Sequence, residues 1–382
     1  MATSLDRLVR KEVALGAIRE MQPPLNHIGL GIAPFLDVAT DDVIFDYIKG
    51  GLQDGLAPAR AEDAEAELAQ KDELIYGQGR AAVVDWSLKD KYTASDVTRY
   101  REGLFIQQAT QGAVGGGDIT LNFNGRTVDD FQARVARHDA LRRRKLDNRI
   151  EWLIMTAMET GAISYNDGRI KFTVNYGRPA DQHNQVPPGG LWSLTTCDPI
   201  GDLLGASQLL FDRYGVRPTQ GLISQKAVNN LWKSAKFLAA VGVPIVGGTP
   251  SQPLDPNYLG LAGYNPAGAL SIVEAATNIN FTIYDSVYRT RPIGSNVWTN
   301  NRFVSDDKVI LFPSTGDLGE IDDTQIGFAK TLTAPHPEGN WSSGFYEWED
   351  ETRDPWMHVK GSGVKAFPVF PYMEYTYSFD VL

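Results

Sequence analysis

A run of tryptophans and carboxylates near the end of the chain contains residue types that could cleave carbohydrates. Glycoside hydrolases place two carboxylates beside the scissile bond, and tryptophan rings offer flat apolar surfaces. The same run alternates aromatic and charged residues, which is typical of a strand whose rings pack on a core or an interface. We therefore favour a packing role, with a carbohydrate-active hydrolase as the alternative. The run comprises Trp341, Trp348, Glu349, Asp350, Glu351, Asp354 and Trp356.

A basic run occupies the consecutive positions Arg142, Arg143, Arg144 and Lys145. Within a helix, four successive side chains point around the whole circumference and cannot form one stripe. The run therefore favours a girdle of solvated or ion-paired side chains, with Asp139 and Asp147 as acidic partners. The alternative is a local contact with DNA phosphates, which attract Arg and Lys without reading the base sequence.

No other motif predicts catalysis, a cofactor or a metal site. Ser305 to Lys308 matches the SxxK pattern of penicillin-recognising enzymes, but it precedes the strand-like run VILF and has no SDN or KTG partner. The five histidines are scattered, without a nearby Cys or His at metal-ligand spacing. The single cysteine, Cys197, excludes an intrachain disulfide. We expect no cofactor and no metal.

The composition is that of a globular protein with a sizeable core. The chain has 382 residues, 42% of them hydrophobic, which predicts one large domain or two intimate ones. Its net charge of −11 argues against broad nucleic-acid-binding surfaces, although one local basic face could still contact DNA. No apolar stretch approaches the ~18 residues of a membrane span, so we expect no membrane partner.

The strongest secondary-structure prediction is a helix over residues 127–160. Thr127 can cap its start, and Gly161 stands where a left-handed residue often ends a helix. A helix of this length spans about 50 Å, which suits an element that other parts of the fold lean on. Apolar residues recur at roughly helical spacing: Val128, Phe131, Val135, Leu146, Ile150, Leu153, Ile154, Ala157 and Met158.

Short helical and strand-like segments surround this helix and predict an α+β fold with a mostly antiparallel sheet. Further helices are predicted at residues 1–22, 199–214, 225–240 and 269–277. Strands are predicted at residues 171–176, 217–224, 280–288, 308–312 and 345–359 and in the terminal run.

Residues 74–126 predict a long hairpin-like excursion. Its strand-like pieces flank a polar middle, and Gly115 to Gly117 supply a hinge or a tight turn. A hairpin of this kind cannot bury both of its faces within its own chain, so we expect it to lie on something else. The aromatic residues best placed for such a contact are Trp86, Tyr92 and Tyr100.

Four segments, taken in order, resemble the major capsid protein E family of tailed phages, the lambda-like branch of the Hong Kong 97-type shell fold. Residues 81–100, AAVVDWSLKDKYTASDVTRY, resemble the family's extended loop, and residues 128–165 resemble its long spine helix. NFTIYDSVY with FVSDDKVILFP resembles its late strand pair. DPWMHVK with FPVFPYMEYTYSFDVL resembles its terminal strands.

This resemblance implies a division of the chain into four parts. Residues 1–48 would form an N-terminal arm, and residues 49–126 the extended-loop region. Residues 127–185 and 310–363 would form a peripheral domain with the spine helix. Residues 186–309 and 364–382 would form an axial domain. Trp86, Tyr92 and Tyr100 would then lie between subunits, and the basic run from Arg142 to Lys145 would face packaged DNA.

The resemblance also implies a function. The chain would be the major capsid protein of a tailed double-stranded DNA phage, assembling in the host bacterial cytoplasm into pentamers and hexamers of an icosahedral virion head. Its partners would be other copies of itself, a decoration or cement protein, a scaffold, a portal, and packaged DNA held by non-specific contacts. We also expect that no N-terminal scaffold segment is cleaved off. The alternative within this fold is an encapsulin-like nanocompartment shell.

Overall fold

Two mixed β-sheets pack on one long helix. The computed structural model describes residues 21–49, 75–93, 95, 126–168, 170–240, 245–246, 249–250, 266–291, 297–314, 316–318 and 327–382. The helices are α1 (Gly29–Ile32), α2 (Arg126–Thr160), α3 (Pro199–Tyr214), α4 (Gln225–Leu231), α5 (Ala235–Ala240) and α6 (Pro266–Thr277). We call α2 the spine helix.

The strands are numbered in chain order. The first nine are β1 (Phe35–Asp37), β2 (Asp42–Lys49), β3 (Ile75–Ala82), β4 (Asp85–Thr93), β5 (Ala162–Asn166), β6 (Lys171–Asn175), β7 (Gln220–Ile223), β8 (Ile245–Val246) and β9 (Thr249–Pro250). The others are β10 (Asn280–Ile283), β11 (Val287–Thr290), β12 (Thr299–Arg302), β13 (Lys308–Phe312), β14 (Lys330–Thr333), β15 (Phe345–Arg353), β16 (Trp356–Val369) and β17 (Tyr377–Asp380).

The five-stranded sheet is organised around β16. This long strand pairs antiparallel with β15, with β4 and with β14. β1 adds in parallel to β14. The spine helix contacts both β4 and β16, so the chain segment before the helix and the terminal strands meet on one helix face.

The four-stranded sheet has the order β10-β7-β13-β17. β10 is parallel to β7, and the remaining pairs are antiparallel. The spine helix also contacts β13, so the same helix supports both sheets. Phe379 and Val381 are buried near the end of the chain. The predicted strand at the chain terminus is confirmed, and it completes the core.

Local sequence signals predicted the spine helix and α3 well. The apolar face of the spine helix is buried from Leu146 to Met158. Gly161, at φ 69°, ends this helix. Asp198 caps α3 by accepting a hydrogen bond from the Gly201 N–H, and Gly215 closes the helix at φ 72°. Both helices are therefore confirmed with nearly their predicted bounds.

Two predicted elements are each divided by a tertiary contact. The helix predicted over residues 225–240 is interrupted between α4 and α5. There Ser234 donates a hydrogen bond to the Cys197 carbonyl and caps α5 through the Phe237 N–H. The strand predicted over residues 280–288 ends at Ile283. Beyond it, the Tyr284 hydroxyl donates to Glu151, and β11 pairs with β12 instead of continuing in the sheet.

The strand predicted over residues 345–359 is a hairpin. β15 and β16 pair antiparallel in register from Phe345 opposite Val364 to Arg353 opposite Trp356. The long strand β16 then continues to Val369. The domain boundaries predicted at residues 310 and 364 both fall inside strands, because β13 includes residue 310 and β16 includes residue 364.

Of the excursion predicted over residues 74–126, the structure describes residues 75–93, 95 and 126. β2 and β3 form an antiparallel ribbon, from Asp42 opposite Ala82 to Lys49 opposite Ile75. We call this pair the β2–β3 ribbon. The following strand, β4, belongs to the five-stranded sheet. The predicted helix over residues 1–22 lies almost wholly outside the described residues, as do Tyr100 and the glycine hinge at residues 115–117.

Candidate functional site

The spine helix meets the five-stranded sheet through Arg142, which is only 2% exposed. Its two terminal nitrogens pair with Asp90 on β4 and Asp139 one turn earlier on the helix. Its Nε donates to Ser362 Oγ on β16 at 3.0 Å. The guanidinium thus joins the helix to two strands. It is enclosed by its own chain and has little surface left for DNA.

Lys360 on β16 supplies a second buried cation. Its Nζ lies 2.7 Å from Asp139 Oδ2 and 3.1 Å from Glu347 Oε1. Glu347 on β15 is 1% exposed, and burial raises its pKa to about 7. Removal from water disfavours the charged form of a carboxyl group. We call Asp90, Asp139, Arg142, Glu347 and Lys360 the charged cluster.

Arg143 points to a second acid on the helix. Its Nε donates to Asp147 Oδ1 at 2.9 Å, and its guanidinium carbon lies 3.3 Å from the centroid of the Phe345 ring. Burial lowers the pKa of Arg143 and raises the pKa of Asp147. The ion-paired interpretation is therefore confirmed for Arg142 with Asp139 and for Arg143 with Asp147.

Arg144 and Lys145, in contrast, are exposed. Neither forms an ion pair within the described part of the chain. Of the four basic residues expected to face DNA, only these two present their charge to solvent. Within the basic run, Arg144 and Lys145 are therefore the residues available for a contact with DNA.

Trp86 and Tyr92 are enclosed by their own chain. Trp86 is 8% exposed, and its Nε1 donates to the Ala366 carbonyl at 3.0 Å. Tyr92 is 6% exposed, and its hydroxyl lies 3.0 Å from His138 Nδ1. Both rings therefore have partners within their own chain, where β4 pairs with β16, and a contact of these rings with a neighbouring subunit stays a prediction. Tyr100 lies outside the described residues.

The β2–β3 ribbon is a better candidate for such a contact. Its eight residue pairs form a two-stranded sheet, and no third strand joins it among the described residues. The β2 sequence, DVIFDYIK, is mostly apolar or aromatic. Two-stranded ribbons are marginal in water without a packed face. Within the described part of the chain, both ribbon edges also leave backbone donors and acceptors available for pairing.

The acidic and aromatic run forms a sheet surface and not a pair of facing carboxylates. Trp348 covers Gly361, and Tyr346 covers Gly363, so closely that a Cβ atom on either glycine would clash with the ring. Glu347 points inward to the charged cluster, whereas its neighbours Glu349 and Asp350 are exposed. Trp341 is also exposed, at 73%. The packing interpretation fits this arrangement better than the hydrolase alternative.

A cleft of about 780 Å³ beside α4 is lined mainly by amide and basic side chains. Its acid, Asp285, is already bound by Arg302 at 2.7 Å and by the Gln225 N–H at 2.9 Å. Among the described residues, no group of three or more His, Cys, Asp or Glu side chains could hold a metal ion. Within the same residues, none of the helices combines the length and apolar character of a transmembrane span.

Comparison with known proteins identifies the family. The family model described as phage major capsid protein E matches residues 16–326. The chain belongs to the phage major capsid protein E family. The protein is therefore a phage major capsid protein, a structural component of the virion and not an enzyme. The encapsulin-like and hydrolase alternatives are not favoured.

A solved structure shows the same fold at low sequence identity. A crystal structure of a protein assigned as a prophage capsid protein of Escherichia coli aligns with a TM-score of 0.52 and 13% identity, covering 98% of this chain and 96% of that one. A phage-related protein from Bordetella bronchiseptica aligns with a TM-score of 0.48 and 13% identity, covering 97% and 96%. No curated protein matches the chain. The predicted α+β fold of the Hong Kong 97 type is confirmed.

Proposed function

We propose that copies of this capsid protein form the hexamers and pentamers of an icosahedral head that encloses the double-stranded DNA of a tailed phage. The observation that carries this proposal is the β2–β3 ribbon, which pairs with no third strand among the described residues. In a closed shell, each ribbon lies on the next copy, which covers one of its faces. Repeated head-to-tail contacts of this kind close into rings.

The proposal changes the predicted division of the chain. We propose that the extended loop is residues 42–82, since β4 pairs with β16 in the five-stranded sheet. We propose that the peripheral domain comprises residues 127–185 and 313–369, with β4 packed against it. The axial domain then comprises residues 186–312 and 370–382, so that β13 and β16 each remain in one sheet.

Other partners follow from the same proposal. Arg144 and Lys145 contact DNA phosphates without base specificity, because both are exposed and the chain as a whole is acidic. A portal, a scaffold and a decoration or cement protein complete the particle, which assembles in the cytoplasm of a bacterial host.

Removing the ribbon tests the assembly proposal. Ile44 and Arg80 are cross-strand partners, so a two-residue Asn-Gly turn can join them in place of residues 45–79. We expect the shortened chain to be soluble, with the circular dichroism and thermal unfolding of a folded protein. Sedimentation and electron microscopy should show that it forms no particles, whereas the full chain forms particles of megadalton mass.

A matched control replaces only residues 54–70, which lie between the two strands, with a Gly-Ser linker. This control keeps β2 and β3 and should still assemble. Normal particles from the chain that lacks residues 45–79 would contradict the proposal. A full chain that remains a 42.0 kDa monomer under all assembly conditions would also contradict it.

A further inference from the structure

The charged cluster joins three strands to the spine helix in a space largely closed to water. Asp139 and Arg142 come from the helix, Asp90 from β4, Glu347 from β15 and Lys360 from β16. Four of the five residues are at most 4% exposed, and only the Asp90 side chain reaches solvent, at 38%. Gain or loss of a proton within this cluster therefore changes the strength of the contact between the helix and the sheet.

The cluster contains two cations and three carboxylates. Asp139 is paired with both Arg142 and Lys360, and Asp90 is paired with Arg142. Glu347 is the least satisfied of the three acids. Its Oε1 lies 3.1 Å from Lys360 and 3.6 Å from Arg142, and no group among the described residues donates a hydrogen bond to its Oε2.

Other polar groups around the cluster do not remove this imbalance. Ser362 on β16 is engaged by Arg142 Nε, and Tyr92 on β4 is paired with His138 of the helix. His358 on β16 lies 4.0 Å from Glu349. Arg143, on the neighbouring side of the helix, is bound to Asp147. The excess carboxylate is therefore neutralised most simply by a proton on Glu347.

We propose that the charged cluster is a proton-operated latch, which holds the spine helix firmly on the five-stranded sheet while Glu347 is protonated and loosens when Glu347 ionises. A neutral Glu347 leaves two cations for two carboxylates. An ionised Glu347 is a third anion, which competes with Asp139 for Lys360 in a place where water cannot solvate it. The helix and sheet separate more readily because the opened contact lets water reach the carboxylate.

The direction of the pH effect follows from the proton count. In the closed contact the Glu347 pKa is about 7, whereas the ordinary value is 4.5. Between these values the closed contact binds more protons than the opened one, so rising pH favours opening. The increase in opening levels off above about pH 7, because Glu347 is then ionised in both the closed and the opened contact. The latch depends only on the fold, and its consequence for a shell rests on the proposed function.

Hydrogen exchange of the spine-helix amides measures the opening. For the full chain, we expect the opening constant over residues 139–147 to rise about tenfold from about pH 6 to about pH 8, after correction for the intrinsic exchange rate. Glu347→Gln should remove this rise. The control Asp350→Asn makes the same chemical change on the same strand at an exposed position, and it should keep the rise.

A second variant keeps the test decisive if Glu347→Gln does not fold. Asp139→Asn removes a like charge beside Glu347 and frees Lys360 to pair with it, so the rise should move to lower pH. A wild-type opening constant that is independent of pH would overturn the proposal. So would a rise that persists in Glu347→Gln, or one that stays at the same pH in Asp139→Asn.

Particle formation is scored separately by sedimentation of the same preparations. A chain that shows the latch but forms no particles contradicts the assembly proposal alone. A chain that forms particles without the pH-dependent opening contradicts the latch alone.

Discussion

The two halves of the spine-helix stretch from residue 139 to residue 158 are held by different physical means. Residues 139–147 contact the five-stranded sheet through buried charges, whereas residues 150–158 are buried mainly through aliphatic side chains such as Leu153 and Ile154. Apolar burial stabilises at any pH and needs no particular geometry. Buried ion pairs repay their desolvation only when every partner is placed well. The stability of the first half, which we call the charged half, therefore depends on the placement and charge of its partners. We call the second half the apolar half.

The contrast is clearest between two buried glutamates, each 1% exposed. Glu151 in the second half accepts hydrogen bonds from the Ile28 N–H, the Gly29 N–H and the Tyr284 hydroxyl. Both of its oxygens are satisfied by donors from the N-terminal segment and from the end of β10. Glu347 has an oxygen without a donor among the described residues. Burial raises the pKa of both, but of the two only Glu151 has a hydrogen-bond donor on each of its oxygens.

The largest loss in the free energy of unfolding is expected from removing a buried cation of the charged half. Lys360→Met should lower the free energy of unfolding by about 4 kcal/mol at pH 8, because Asp139 and Glu347 lose a cation while buried. The loss should be smaller at pH 5, where Glu347 is protonated. Urea unfolding at both pH values measures this.

The control for Lys360→Met is Lys365→Met on the same strand. Lys365 pairs with Asp41, whose side chain is 58% exposed, so its loss should cost less than about 1 kcal/mol. Equal losses in the two variants would show that burial of the cluster is unimportant.

The apolar half should give a smaller loss that does not depend on pH. Ile154→Ala should lower the free energy of unfolding by about 3 kcal/mol through a cavity in the core. Leu141→Ala, at a position that is 51% exposed on the same helix, should change it by less than about 0.5 kcal/mol. A cost of Ile154→Ala that differs between pH 5 and pH 8 would contradict the division into two halves.

The pH dependence that comes from Glu347 should belong to the charged half. From about pH 5 to about pH 8, the wild-type free energy of unfolding should lose about 2 kcal/mol from Glu347, because the unfolded chain releases this proton at lower pH than the folded chain. Glu347→Gln should flatten this part of the curve, and Ile154→Ala should retain it. Chemical denaturation across this pH range compares the three proteins.

The exposed side of the charged half should affect stability least. Arg144→Glu with Lys145→Glu should change the free energy of unfolding by less than about 0.5 kcal/mol. It should nevertheless lower the fraction of particles that retain DNA at elevated salt, since phosphate contacts depend on positive charge. Lys171→Glu, an exposed charge reversal on β6, is the control. Unchanged DNA retention would contradict the DNA-facing proposal for Arg144 and Lys145.

Local signals explain which parts of the fold could be predicted from the sequence. The spine helix and α3 carry their own apolar spacing and terminal residues, so Gly161 and Gly215 end them as expected. The alternating terminal segment predicted strands for the same reason. The interruption at Ser234 could not be predicted, because it depends on the carbonyl of Cys197, 37 residues away in the chain.

The candidate site was predictable only in part. The pairs Arg142–Asp139 and Arg143–Asp147 are three and four residues apart on one helix, and helical spacing alone brings them together. Trp86 and Tyr92 were expected at a subunit contact because a strand's sequence does not reveal which strand pairs with it. The pairing with β16 connects residues more than 260 positions apart.

The sequence by itself determined the helices, the alternating strands and the family to which the chain belongs, because periodicity, caps and turn residues act over a few positions. Only the tertiary structure decided that Glu347, Lys360 and Arg142 meet, that the ribbon is β2 with β3, and that half of the basic run is buried. These contacts join distant segments. Their free energies depend on burial and geometry, which no local pattern records.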